Sequence, residues 1–126
     1  MSNLLNIVIS GGGTGGHLFP ALAIGDELQI QNPNTFIHYI GSKFGIEKDV
    51  LPIKNVPHSL LPIRGLQRRF NFDSLGKNIL LPIRIISSLS KVRQLFNEIK
   101  PQLVIGTGGY ASALPLRESI RRSIPT

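Results

Sequence analysis

The chain has 126 residues, 41% of them hydrophobic, which is enough for one small core. It carries a formal net charge of +7 and no cysteine, so disulfides and thiolate metal sites are excluded and a reducing cytoplasm is compatible. The longest apolar run, Ile79 to Ile86, is too short and too interrupted by Pro82 and Arg84 to span a bilayer, and no N-terminal segment has the basic-then-apolar build of a secretory signal.

Leu4-Leu5-Asn6-Ile7-Val8-Ile9 reads as a buried strand. It runs into Ser10-Gly11-Gly12-Gly13-Thr14-Gly15-Gly16-His17 and then into the helical pattern of Leu18-Phe19-Pro20-Ala21-Leu22-Ala23. Glycines admit positive φ and close approach of a ligand to the main chain, while the unpaired N–H groups at a helix start favour an anion. This is the build of a phosphate-cradling turn. The first helix places Leu22, Ile24 and Leu28 toward the sheet and stops at Asn32-Pro33-Asn34.

Gly11, Gly13 and Gly16 satisfy the dinucleotide pattern, which also needs a carboxylate at the end of the second strand to hold a ribose. The second strand, Thr35 to Ile40, ends instead in Gly41-Ser42-Lys43. A kinase-type loop fits worse, because His17 and Leu18 stand where Lys and Ser or Thr are needed. A short helix over Gly45 to Pro52, ended by its proline, and a third strand over Pro57 to Ile63 follow.

A helix from about Asp73 to Lys100 puts Leu81, Ile85, Val92, Phe96 and Ile99 on one face, a core stripe. Leu75, Ile79, Ile83 and Ile86 form a second apolar face, with Leu89 at its edge, in the first half of the helix only. Pro82 marks a kink or a later helix start. The charge is also uneven. Up to Pro62, Lys43, Lys48 and Lys54 face Asp26, Glu27, Glu47 and Asp49; between Ile63 and Pro101, Arg64, Arg68, Arg69, Lys77, Arg84, Lys91, Arg93 and Lys100 face only Asp73 and Glu98. Apolar residues flanked by such cations match interfacial binding to anionic lipid, against the alternatives of an ordinary solvated basic helix or a protein partner.

Gln102 to Ile105 reads as a fourth strand, followed by a second glycine turn, Gly106-Thr107-Gly108-Gly109-Tyr110-Ala111-Ser112, and a helical stretch with Leu116, Ile120 and Arg121. The sum is α/β: β-α-β-α-β-α-β-α, a Rossmann-like open parallel sheet lacking later strands. Ligands bind beyond the carboxyl ends of such strands, so the two turns can share one crevice and one diphosphate.

Gly12-Gly13-Thr14-Gly15-Gly16-His17 with Pro20-Ala21-Leu22-Ala23, and then Gly106 to Ser112, resemble the acceptor-side domain of the GT-B peptidoglycan glycosyltransferases. These enzymes move N-acetylglucosamine from UDP-N-acetylglucosamine to lipid I, making lipid II. The resemblance covers essentially the whole chain. It departs from the family where Ala113-Leu114-Pro115 replaces the usual Ser-Gly-Pro, which puts the local backbone path in question. It implies that residues 1–126 are an N-terminal acceptor-binding domain. The donor-binding domain and the His-Glu-Gln-Asn segment of the family do not occur in this chain, which by itself is expected to be inactive.

By the same resemblance the reaction inverts the anomeric centre, so a base must take the acceptor's proton. His17, where the positive helix end favours a neutral imidazole, is the candidate. A phosphate contact or a loop-capping role remains open for it. Gly12, Gly13, Thr14, Gly15, Gly16, Gly106, Thr107, Gly108, Gly109, Tyr110 and Ser112 are the expected substrate-binding set. His38 and His58 are expected to be packing or surface residues.

The family's corresponding surface docks on the cytoplasmic membrane. This implies peripheral attachment to its inner face through Arg68, Arg69, Lys77, Ile79, Ile83, Arg84 and Ile86. No metal, cofactor or nucleic-acid partner is expected. The rival readings are a GT-B glycosyltransferase with another acceptor, and an NADP-dependent Rossmann protein. The latter would explain the first glycine turn but not the second, and a nucleic-acid module would explain the charge but neither turn.

Overall fold

The computed structural model describes residues 4–63 and 72–126, with side chains described throughout except at 72–81. The elements in chain order are β1 (Leu5–Gly11), α1 (Gly15–Gln31), β2 (Thr35–Ser42), α2 (Glu47–Lys54), β3 (His58–Leu61), α3 (Phe72–Ile99), β4 (Leu103–Gly108) and α4 (Tyr110–Arg121). The four strands form one parallel sheet in the order β3-β2-β1-β4. Consecutive parallel strands need a crossover, and each is made by one helix.

The period of two along β1 divides the core. Ile7 and Ile9 face α1 and α2, packing with Leu18, Ala21, Leu22, Ile37, Tyr39 and Leu51. Val8 turns to the other layer, with Ile40, Leu61 and Val104 against Val92 and Phe96 of α3 and Ala111 and Leu114 of α4. Glu118 of α4 fastens the second layer. Fully buried, it accepts Arg121 Nη2 at 2.5 Å, Arg122 Nε at 2.8 Å and, from α3, Arg93 Nε at 3.4 Å.

The structure corrects several expectations. Both glycine-bearing strands run further than their apolar residues suggest. β1 extends to Gly11 and β4 to Gly108, because the two pair through Ser10↔Gly106 and Gly11↔Gly108. Pro52 does not end α2. The helix passes it and stops at Asn55, whose left-handed φ of 56° directs its N–H to Pro52 O at 3.1 Å. Pro82 likewise lies inside α3, and Pro115 inside α4, so Ala113-Leu114-Pro115 is helical.

Ile24 is exposed on α1. The buried set is Leu18, Ala21, Leu22 and Gly25, spaced by three and four. Ile85 is also exposed, because the core contact of the described part of α3 begins at Ser88 and continues through Val92 and Phe96. Leu89, assigned to the edge of the second face, packs on that core. Leu75 and Leu81 have side chains outside the described residues. No helix among the described residues is long and apolar enough to cross a membrane.

Candidate functional site

After β1 the chain crosses to β2 on one side, and after β3 it returns to place β4 on the other side of β1. The reversal falls between β1 and β4, and the region beyond their carboxyl ends is the position where open parallel sheets hold ligands. Both glycine turns lie there. Gly12 N–H donates to Gly108 O at 3.2 Å, joining the turns directly. A Cβ on Gly109, whose φ is +88°, would sit 2.3 Å from Gly12 O, so close approach and backbone conformation both demand glycine there. Gly13, at φ +87°, has open space where a Cβ would be and forms the free crest of the first loop.

His17 and Thr107 tie α1 to the second turn. A carbonyl oxygen can only accept, so the His17 Nδ1–H donates to Thr107 O at 3.1 Å, and Thr107 Oγ1–H returns a bond to His17 O at 2.7 Å. In the neutral imidazole this leaves the lone pair on Nε2. Thr14 is the N-cap in backbone terms but makes no side-chain cap bond, so the helix start keeps its anion-binding character.

Tyr110 opens α4 with its side chain 63% exposed. Ser112 is buried and its hydroxyl donates to Gly109 O at 2.8 Å, which spends that hydrogen inside the domain. Gly15, Gly16 and Gly106 flank the same turns. His38 and His58 lie apart as framework. His38 Nε2 meets Ser59 Oγ at 2.9 Å, and burial, with His58 nearby, lowers its pKa; His58 Nδ1 donates to Val56 O at 2.8 Å.

Glu47 is the residue that sequence reasoning passed over. It is fully buried at the start of α2, and its Oε1 accepts Ser42 N–H at 2.9 Å. A Cβ on Gly12 would stand 1.8 Å from that oxygen, and one on Gly45 would stand 2.0 Å from Oε2. The carboxylate is therefore wedged between the first glycine loop and the β2–α2 loop. The signal available was an acid two residues after a glycine, directly following the second strand.

Of the basic and apolar surface, Ile83 and Ile86 are exposed at 63% and 70%. The Arg84 guanidinium lies over the Phe44 ring at 5.0 Å. Arg68 and Arg69, and the side chains of Lys77 and Ile79, lie outside the described residues.

A parallel sheet whose two glycine turns meet at the strand-order reversal makes this a Rossmann-like α/β domain of the ligand-binding kind. Residues 7–126 match the glycosyltransferase family 28 N-terminal domain, and the chain belongs to that family.

The curated relatives include the UDP-N-acetylglucosamine–N-acetylmuramyl-(pentapeptide) pyrophosphoryl-undecaprenol N-acetylglucosamine transferase of Christiangramia forsetii, 40% identical over 100% of this chain and 33% of its own. The transferase of the same name from Bacillus subtilis is 38% identical over 97% of this chain and 32% of its own. A crystal structure of Acinetobacter baumannii MurG superposes with a TM-score of 0.74 at 24% identity, over 96% of this chain and 34% of that one, and shares the fold. The chain thus spans about a third of the length of the curated relatives it matches.

Proposed function

We propose that this chain is the acceptor-binding domain of an inverting N-acetylglucosaminyltransferase of peptidoglycan synthesis, acting on lipid I with UDP-N-acetylglucosamine as donor. The observation that carries the reading is the junction of the two glycine turns, with His17 anchored across it by Thr107. The names of the relatives supply the substrates.

The diphosphate of the acceptor lies against the backbone of Gly12 to Gly16 and Gly106 to Gly109, with Thr14 and Tyr110 as side-chain donors. The acceptor hydroxyl attacks the anomeric carbon of the donor. As that bond forms, the bond from the anomeric carbon to the UDP oxygen breaks and UDP leaves with the electron pair. The hydroxyl proton passes to Nε2 of His17, whose Nδ1–H holds the ring in that tautomer. The donor is held mainly by a second domain outside this chain.

Exposed Ile83 and Ile86, in a stretch of sequence that also carries Arg68, Arg69, Lys77 and Arg84, support docking on the anionic inner face of the cell membrane, where a lipid-linked acceptor resides. The test is transfer of labelled N-acetylglucosamine to lipid I by the intact enzyme containing this domain. Lipid II formation that disappears on altering Gly13 and Tyr110 supports the reading; full activity of those variants contradicts it.

A further inference from the structure

Glu47 is costly where it stands. It is fully buried, yet only one of its oxygens is bonded: Oε1 accepts Ser42 N–H, while Oε2 has no hydrogen-bond partner among the described residues. A buried carboxylate with an oxygen unpaired is unfavourable. It also lies against Gly12 of a turn that favours anions, where a carboxylate opposes the ligand. Local costs of this kind are expected at functional sites rather than in ordinary framework.

The neighbours of the carboxylate show what it does there. Three glycines make room for it. A Cβ on Gly12 would overlap Oε1, one on Gly41 would stand 2.6 Å from Cγ, and one on Gly45 would overlap Oε2. The same Cβ on Gly45 would stand 2.8 Å from Gly13 N and Cα, so Oε2 and the crest of the first loop converge on one point. Ser42, held by Oε1, accepts Phe44 N–H on its hydroxyl at 3.1 Å and donates that hydroxyl to Ile63 O at 2.6 Å, which braces the β2–α2 loop.

Gly12 is also the residue that joins the two turns. Its N–H donates to Gly108 O, its carbonyl oxygen faces Gly109, and a Cβ on Gly108 would stand 2.5 Å from His17 Nδ1. A shift of Gly12 therefore moves the crest and the junction together.

We propose that Glu47 is a positioning residue for the acceptor: its carboxylate, a buried spacer between Gly12 and Gly45, sets where the crest of the first glycine loop stands and so how the acceptor's diphosphate is held. This inference rests on the acceptor-site reading above. Glu47 touches no reacting atom and acts through the loop. Its shape and one acceptor oxygen carry the role, not its charge.

The test is transfer to lipid I by the intact enzyme containing this domain, with acceptor KM and kcat determined separately. Glu47→Ala is expected to raise acceptor KM about tenfold, with kcat and donor KM changed by less than about twofold. Glu47→Gln keeps the length and an oxygen for Ser42 N–H, so its KM should stay near that of the unaltered enzyme. Glu47→Asp keeps the charge but falls short of the loop, so its KM should rise. Leu51→Ala, a cavity at a fully buried position on the same helix, is the control for lost stability: it should lower kcat through the active fraction and leave acceptor KM unchanged.

An unaffected Glu47→Asp beside a Glu47→Gln as impaired as Glu47→Ala would make charge the determinant and overturn the proposal. So would lower kcat at unchanged acceptor KM in Glu47→Ala, or in Glu47→Asp if the alanine variant does not fold, since that is the pattern of lost stability alone. If Gly13→Val raises acceptor KM while the Glu47 variants do not, the glycine-loop reading stands and the role of Glu47 is wrong. If Gly13→Val has no effect, the acceptor-site reading itself fails.

Discussion

His17 and Thr107 hold each other reciprocally, through Nδ1–H to carbonyl at 3.1 Å in one direction and Oγ1–H to carbonyl at 2.7 Å in the other. The pair fixes the ring of His17, in the first turn of α1, against β4 across 90 positions of sequence. In the intact enzyme, His17→Ala is expected to lower kcat by about 100-fold or more, the usual worth of a general base, with small change in acceptor KM. His17→Asn can keep a donor to Thr107 O but offers no basic nitrogen, so its kcat should fall as far. Unchanged kcat with a raised acceptor KM would make His17 a binding contact.

The wedge of Glu47 against Gly12 predicts a coupled pair. Gly12→Ala should destabilise the domain by about 1–3 kcal/mol, because the new methyl would overlap Oε1 of a fully buried carboxylate. In a Glu47→Ala background the same change should cost clearly less. Chemical denaturation of the four variants gives the coupling energy, and strict additivity would show that the contact is not the cause.

Acid sensitivity should centre on Glu118. The Arg121 hydrogen bond, aided by Arg122 and opposed by burial, holds its carboxyl at about 2 against an ordinary 4.5. Between those values the unfolded chain binds more protons, so this contribution is complete above about pH 4.5 and is lost as pH falls toward 2. Glu118→Gln should lower stability by about 1–3 kcal/mol at neutral pH, the worth of hydrogen bonds to a charged group, and flatten the acid limb. Thermal melts across pH 2–7 check both; an unchanged acid limb would assign it to other carboxylates.

Much of this was legible in the residues themselves. Short buried apolar runs pointed to the strands, and the glycines pointed to the two strand-to-helix turns, because positive φ and close approach leave few other choices at Gly13 and Gly109. What was hidden depended on tertiary contact. The strand ends at Gly11 and Gly108 arise from β1–β4 pairing, which no local pattern encodes. Pro52 looks like a helix end and Pro82 like a kink or a helix start, yet α2 runs past the first and α3 begins ten residues before the second. Glu47 carries no local signal of burial until the fold closes the first glycine loop and the β2–α2 loop around it.

The proposed membrane docking through Ile83 and Ile86 would join an apolar and an electrostatic contribution. Each basic residue near an anionic surface is worth about 1 kcal/mol, screened within roughly 8 Å at physiological salt. Co-sedimentation with phosphatidylglycerol vesicles should weaken as salt rises, weaken with neutral lipid, and fall further in Ile83→Ser/Ile86→Ser. Equal sedimentation with neutral and anionic vesicles would remove the electrostatic part, and no binding by a folded chain would leave the exposed isoleucines to a protein partner.

If the proposed division of acceptor and donor between two domains is right, the chain alone should form no lipid II from lipid I and UDP-N-acetylglucosamine, because transfer needs both substrates held in one cleft. Measurable turnover by the purified chain would mean that it carries a donor site of its own.

The central claim, that the paired glycine turns are an acceptor site, is tested most directly by calorimetric titration of this chain with a short-lipid analogue of lipid I and, separately, with UDP-N-acetylglucosamine. Saturable binding of the lipid I analogue, abolished by Gly13→Val, with much weaker or undetectable binding of the donor, is the predicted result. Donor binding that depends on Gly13, with no binding of the acceptor analogue, would contradict it.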